Sequence, residues 1–183
     1  MRIVAGKFRS RELLAPSNTG TRPTTDRARE ALFNVLANMI EFDGVRVLDL
    51  FAGSGALAFE ALSRGAQSAT LVERDRKATE AIRKNAEKLE IGSAITLVQK
   101  DVFRFLEAGR TESEPYSLIF SDAPYDETRA LQEIAHRIFA KDWLAPGGIC
   151  VIEHRTGDQP HIPENAKLLR ELRAGEASFT IIV

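Results

Sequence analysis

The sequence predicts an α/β fold: a mostly parallel seven-stranded sheet wrapped by helices, closed by an antiparallel hairpin, with a small β-hairpin extension at the N-terminus. Three observations predict it. Val45-Arg46-Val47-Leu48-Asp49-Leu50-Phe51 is a β-prone run, apolar enough for a strand covered on both faces, and it leads through Ala52-Gly53-Ser54-Gly55 into a helix-spaced segment at 56–62. Strand and helix patterns then alternate along the chain, the pattern of a parallel sheet with crossover helices. Finally, 168–172 and 179–183 are strand-like with no helix between them, so they form a hairpin and one of them runs against the rest.

Taken in order, 2–15 reads as the extension: Ile3-Val4-Ala5 and Leu13-Leu14 are its apolar runs, and Gly6-Lys7-Phe8-Arg9-Ser10-Arg11 joins them. Phe8, among basic residues, is placed either to stack on a base or to pack on the domain. Residues 16–25 are a loop rich in Pro, Gly, Ser, Asn and Thr. The next helix, capped by Thr24, Thr25 or Asp26, carries Ala28, Ala31, Leu32, Val35, Leu36 and Met39 on one face. After the first strand, further strands are expected at 69–73, 95–98, 118–120 and 149–153, with helices at 78–89 and 128–139. Trp143-Leu144 packs ahead of a turn at Pro146-Gly147-Gly148. The expected organisation is one domain over 1–183, with 1–25 a basic hairpin and loop and 26–183 the ligand-binding catalytic core.

Composition narrows the class. The chain of 183 residues is 44% apolar, long enough to bury a substantial core. Cys150 is the only cysteine, so no internal disulfide forms, and its setting in Ile149-Cys150-Val151-Ile152 marks it as a core residue. No run is long enough to span a bilayer, and the start lacks a signal-peptide pattern, so a cytoplasmic protein is expected. The net charge of −1 hides an asymmetry: residues 1–29 hold Arg2, Lys7, Arg9, Arg11, Arg22, Arg27 and Arg29 against Glu12 and Asp26, seven minus two or +5, leaving −6 for the remainder. Arg9, Arg11, Arg22, Arg27 and Arg29 are the candidate phosphate contacts of a nucleic-acid-binding face.

Two motifs carry chemistry. In the first, Gly53 and Gly55 let the backbone turn tightly and approach a ligand, and Glu73 ends the next apolar run at the distance where an acid takes a ribose hydroxyl. The order Asp49-x-x-x-Gly53-x-Gly55, with the acid ahead of the glycines, resembles motif I of the class I S-adenosylmethionine (SAM)-dependent methyltransferases. Their Rossmann-like sheet, parallel but for a closing hairpin, agrees with the strand pattern. The resemblance implies SAM as cofactor, held by Asp49, Phe51, Gly53, Ser54, Gly55, Glu73, Arg74, Asp101 and Val102, the last two at the adenine; Asp101 is equally suited to cap a helix at 102–106.

The second motif, Asp122-Ala123-Pro124-Tyr125, follows the fourth strand and so opens on the same sheet edge. It resembles motif IV of methyltransferases that modify exocyclic amines, written (Asp/Asn/Ser)-Pro-Pro-(Tyr/Phe). Such an amine is a poor nucleophile because its lone pair is delocalised into the ring. Acceptors aimed at its hydrogens localise that pair: the Asp122 carboxylate and the Ala123 carbonyl are the candidates. Tyr125 offers a flat face to the extruded base, and Pro124 stiffens the turn. Ala123 departs from the family's proline; its carbonyl survives the change, and the following proline still biases it toward extended backbone.

With both motifs placed, the chain resembles the RsmD family, bacterial methyltransferases that modify guanine N2 in small-subunit (16S) ribosomal RNA. The likeness lies in Arg2-Ile3-Val4-Ala5-Gly6, in 21–34 (from Thr21-Arg22-Pro23-Thr24-Thr25-Asp26-Arg27 onward), in Leu48-Asp49-Leu50-Phe51-Ala52-Gly53-Ser54-Gly55-Ala56-Leu57, in 60–66 and in Trp143-Leu144-Ala145-Pro146-Gly147-Gly148. It implies ribosomal RNA or the small ribosomal subunit as partner. A monomer is expected, with no membrane association. His136, His154 and His161 show no metal-ligand spacing, and methyl transfer needs no metal, so none is expected. The alternatives are an adenine-N6 methyltransferase of DNA or RNA, a SAM-binding RNA assembly factor without turnover, and a NAD-dependent oxidoreductase, against which the Asp122 turn and the closing hairpin argue.

Overall fold

The computed structural model describes residues 1–16, 25–110, 114–125 and 127–183. Five helices and seven strands alternate among the described residues: α1 (Asp26–Leu36), β1 (Arg46–Leu50), α2 (Ala56–Ser63), β2 (Ser68–Glu73), α3 (Arg76–Lys88), β3 (Ile95–Gln99), α4 (Val102–Ala108), β4 (Tyr116–Ser121), α5 (Thr128–Ala140), β5 (Leu144–Arg155), β6 (Leu168–Ala174) and β7 (Ala177–Ile182). The strands form one sheet in the order β3-β2-β1-β4-β5-β7-β6. The first five run parallel, β7 runs antiparallel to β5, and β6 antiparallel to β7. This is the mixed sheet with a closing hairpin that the strand pattern predicts.

Side chains alternate across a strand, so a doubly covered sheet has two cores. On one face Val47, Leu118, Phe120, Val151 and Phe179 pack against Leu32, Phe33, Phe59 and Ile82 of α1, α2 and α3. On the other, Leu48, Leu50, Ile119, Cys150 and Ile152 pack against α4 and α5 through Phe103, Leu106, Ile134 and Ile138. Cys150 is fully buried, and burial pushes its thiol up to about 12, which makes it a packing residue and not a nucleophile.

Three local expectations are revised. The buried stripe of α1 is Ala28, Arg29, Leu32, Phe33 and Leu36; the helix stops at Leu36, ahead of Met39, and Phe33 is held between Phe42 and Phe120. β5 starts at Leu144, so Pro146-Gly147-Gly148 belongs to an irregular strand whose register with β4 shifts between Tyr116 and Leu118. At Gly148 a Cβ would lie 2.9 Å from the Ala145 carbonyl oxygen and 3.0 Å from that of Ser117, so the shift needs glycine. His154 is buried, its Nε2 2.9 Å from Thr180 Oγ1. Residues 2–15 form a folded-back loop with a single β-bridge, Arg2 to Glu12, where a regular hairpin was expected.

That loop is stapled to the sheet's helices by buried polar groups. Glu60, fully buried in α2, accepts the Val4 and Ala5 N–H groups at 2.8 and 3.1 Å. Ser63 takes the N–H of Phe8 on its hydroxyl and that of Lys7 on its carbonyl. Asn85, buried in α3, exchanges two hydrogen bonds with Leu14 and donates a third to Ser54. Gly6 passes so close that a Cβ would overlap the Ser63 carbonyl, and its φ is +80°. Phe8 packs against the core below.

Candidate active site

A cleft of about 810 Å³ opens at the carboxyl ends of the parallel strands, where the order reverses between β1 and β4. One wall is the turn after β1. Phe51 has a φ of +60°, a left-handed conformation unusual for an aromatic residue, and Gly53 follows at +55°. Both line the cleft, as do Ser54 and Asp49. Gly55 does not. Its φ is +77°, and a Cβ there would stand 2.7 Å from Phe59 and 2.9 Å from Leu71. The expected approach of Gly55 to a ligand is therefore corrected: this glycine lets α2 pack on β2.

Asp49 is 1% exposed. Its Oδ2 accepts the Ala58 N–H at 3.1 Å, satisfying one of the open donors at the start of α2. Its Oδ1 is buried with no hydrogen-bond partner among the described residues. Burial holds this carboxyl well above the usual carboxylate range; the Ala58 N–H opposes that, and the charges of Asp122 and Glu73 add to it. Glu73, at the end of β2, grips the loops on either side: Oε2 accepts the Gly53 N–H at 2.8 Å and Oε1 the Asp75 N–H at 2.7 Å. Asp101 and Val102 line the cleft further along, and Asp101 caps α4 through the Arg104 N–H at 3.0 Å, the cap its position in the sequence allows. Arg74 stands at the mouth, its guanidinium 3.9 Å from Glu127.

The facing wall is the tip of β4. The Asp122 N–H donates to the Leu50 carbonyl at 3.3 Å, which continues the β1–β4 ladder past Ser121 and sets Asp122 beside the glycine turn. Ala123 is buried, Pro124 accepts the Glu127 N–H at 2.8 Å, and Tyr125 stands partly exposed at the rim. The Arg155 guanidinium lies 5.3 Å from the centre of the Tyr125 ring. Partial burial, then the charges of Glu153 and Asp122, push the phenol up to about 12, so it stays protonated at physiological pH. The two motifs thus meet across a single cleft.

Of the five candidate RNA arginines, Arg9, Arg11 and Arg27 are exposed, and Arg22 lies outside the described residues. Arg29 is corrected: it is fully buried, donates to the Arg2 carbonyl and to Asp26 Oδ1, and lies 3.9 Å from Glu60. A cation at that depth holds the N-terminal loop to α1 and α2 and cannot reach a phosphate outside. Four charged cleft residues went unread in the sequence: Asp75, Glu153, Arg155 and Glu176. Glu153 had a signal, an acid closing an otherwise apolar strand at the same edge as Asp122. Glu176 had none, because only the hairpin's pairing brings it there. Among the described residues no cluster of three or more His, Cys, Asp or Glu is placed to hold a metal ion, and no helix is long and apolar enough to cross a membrane.

A sheet of this order, with a glycine turn after β1 facing an acidic tip after β4, defines a class I SAM-dependent methyltransferase domain. The particular kind follows from comparison. The chain belongs to the RsmD family, whose model, described as Conserved hypothetical protein 95, matches residues 1–183. It is 38% identical over 182 residues to ribosomal RNA small subunit methyltransferase D of Escherichia coli K12, covering 99% of this chain and 88% of that one. The Haemophilus influenzae protein of the same name is 35% identical over 183 residues, with 99% and 92% covered. The solved structure of Escherichia coli yhhF, provisionally named a methyltransferase, superposes with a TM-score of 0.85 at 34% identity, covering 100% of this chain and 96% of that one. The residues present fit the cofactor of this class: a buried, unpartnered carboxylate oxygen on Asp49 faces the cleft, and Glu73 sits beside the glycine turn.

Proposed function

We propose that the chain transfers a methyl group to the exocyclic N2 of a guanine in small-subunit ribosomal RNA. One observation carries the reading: the Asp122-Ala123-Pro124-Tyr125 tip and the glycine turn after β1 share one cleft. The relatives' names support ribosomal RNA as substrate. SAM supplies an activated methyl group on a sulfonium. Asp49 would hold its amino-acid end, Glu73 its ribose, and Asp101 with the Val102 amide its adenine, while Phe51, Gly53, Ser54 and Arg74 line the surrounding wall. The chain's own task is to hold the amine in line and expose its lone pair. The Asp122 carboxylate and the Ala123 carbonyl accept the two N2 hydrogens, Tyr125 stacks on the extruded base, and Pro124 fixes the turn. Arg9, Arg11 and Arg27 contact phosphates of the flanking RNA.

The test is incubation with methyl-labelled SAM and small-subunit particles from cells lacking the protein, followed by digestion and mass spectrometry. Label in N2-methylguanine is the expected result; label in N6-methyladenine, or none, refutes the reading. Replacing Arg9, Arg11 and Arg27 by glutamine is expected to weaken RNA binding and to flatten its salt dependence by about 0.7 in log–log slope for each charge removed. An unaltered slope removes these residues from the interface.

The raised carboxyl of Asp49 gives a pH-dependent expectation. Folding holds its proton above the pH at which the unfolded chain, with an ordinary value of 3.8, releases it. The native state is therefore penalised increasingly as pH climbs through and above that value, and the penalty vanishes below it. Asp49→Asn, which still offers an oxygen to the Ala58 N–H, is expected to melt higher than wild type at pH 7 to 8, by roughly 2–4 °C for each kcal/mol gained. The advantage fades as pH falls toward 3.8. The same variant is expected to lose about tenfold or more in SAM affinity by calorimetry, because an amide cannot take on the negative charge that would pair with the ammonium of SAM.

A further inference from the structure

We propose that Glu153 is the residue that selects guanine over adenine, by accepting the N1–H of the base whose N2 amine is held at Asp122. The inference rests on the guanine-N2 reading above and deepens it. Its ground is a juxtaposition in the sheet. The last paired residues of β4 and β5 are Ser121 and Ile152, so the next positions, Asp122 and Glu153, stand side by side on adjacent parallel strands, about 4.8 Å apart in the backbone. They share a face: Leu118, Phe120 and Asp122 alternate with that face along β4, as Ile149, Val151 and Glu153 do along β5. Both side chains line the cleft, and Glu153 is only 5% exposed. Tyr125, with Arg155 over its ring, supplies the stacking surface beside them.

The chemistry of the two purines then decides. Guanine presents adjacent donors on its pairing edge, the N2 amine and the N1–H. Two neighbouring carboxylates match that pair, since an ionised carboxylate only accepts. Adenine presents its N6 amine beside N1, a bare lone pair. With the amine at Asp122, adenine would aim that lone pair at Glu153, acceptor against acceptor, at a residue only 5% exposed. The β4 tip alone does not discriminate, because any exocyclic amine suits it. Glu153 lies near enough to the stacking ring for its charge to raise the Tyr125 phenol.

The experiment compares guanine with 2-aminopurine, which keeps the 2-amine but has a bare N1. Small-subunit particles are reconstituted with either base at the modified position and given labelled SAM. Wild-type protein is expected to transfer at least about tenfold more slowly to 2-aminopurine. Glu153→Gln, whose amide both donates and accepts, is expected to lose about tenfold on guanine and to close most of the gap, with SAM affinity unchanged. Equal wild-type rates on the two bases, or an E153Q protein that keeps the full preference, overturns the assignment. Should E153Q fail to fold, the wild-type comparison decides alone. Wild-type label on adenine N6 instead refutes the guanine reading itself, and this role with it.

Discussion

Asp122→Ala is expected to reduce methyl transfer by about two to three orders of magnitude while SAM affinity stays within about twofold of wild type. The separation follows from where the residue sits. Asp122 continues the β1–β4 ladder through its backbone N–H to the Leu50 carbonyl, so truncating the side chain leaves the tip in place. The pocket assigned to the cofactor is built by the turn after β1, by Glu73 and by the start of α4, where backbone N–H groups donate to Glu73, Asp49 and Asp101. What disappears is the acceptor for one amine hydrogen. Single-turnover rates with labelled SAM, paired with calorimetry on the same variant, check this. Full transfer by D122A would remove the acceptor role; loss of SAM binding would show that the carboxylate serves the other half of the cleft.

Glu60→Ala is expected to cost about 3–5 kcal/mol of stability, the usual consequence of removing one partner from a buried charged cluster. Glu60 holds the Arg64 Nε at 2.9 Å, the Val4 and Ala5 N–H groups, and the buried Arg29 at 3.9 Å. Without it Arg29 keeps Asp26 but loses its other anion, and two partly buried backbone donors lose their acceptor. Calorimetry is expected to show the melting temperature falling by roughly 6–20 °C. Hydrogen exchange at Val4 and Ala5 is expected to accelerate more than at β1. A melting temperature within a degree or two of wild type would mean that packing alone holds the N-terminal loop.

What was legible in the sequence was what local pattern controls. The apolar runs of β1, β2 and β4 and the glycine turn between β1 and α2 lie where the pattern put them. The helix-free interval before β7 announced the antiparallel end of the sheet. Misreadings came where a residue's role is set by a distant partner. Arg29 read as one more surface cation because nothing nearby shows that Glu60 will be buried 31 positions later. Gly55 read as a ligand glycine because Phe59 and Leu71 meet it only once α2 has packed on β2. Phe33 was passed over beside smaller residues of the same helix, although Phe42 and Phe120 close around it. The cleft divided the same way: its motif-bearing half was readable, whereas Glu153 and Glu176 are brought in by the register of β5 and by the β6–β7 turn.

The place of β7 bears on how the polypeptide is born. It follows every other strand in the chain, yet it lies inside the sheet, with Phe179 and Ile181 wholly buried and β5 and β6 on its flanks. While residues 177–182 are still being synthesised, β5 offers a bare, apolar edge and β6 has nothing to pair with. Such an edge is a template for other chains. A chain cut short before β7 is therefore expected to leave that edge open to aggregation and proteolysis, although the β4 tip has already been made.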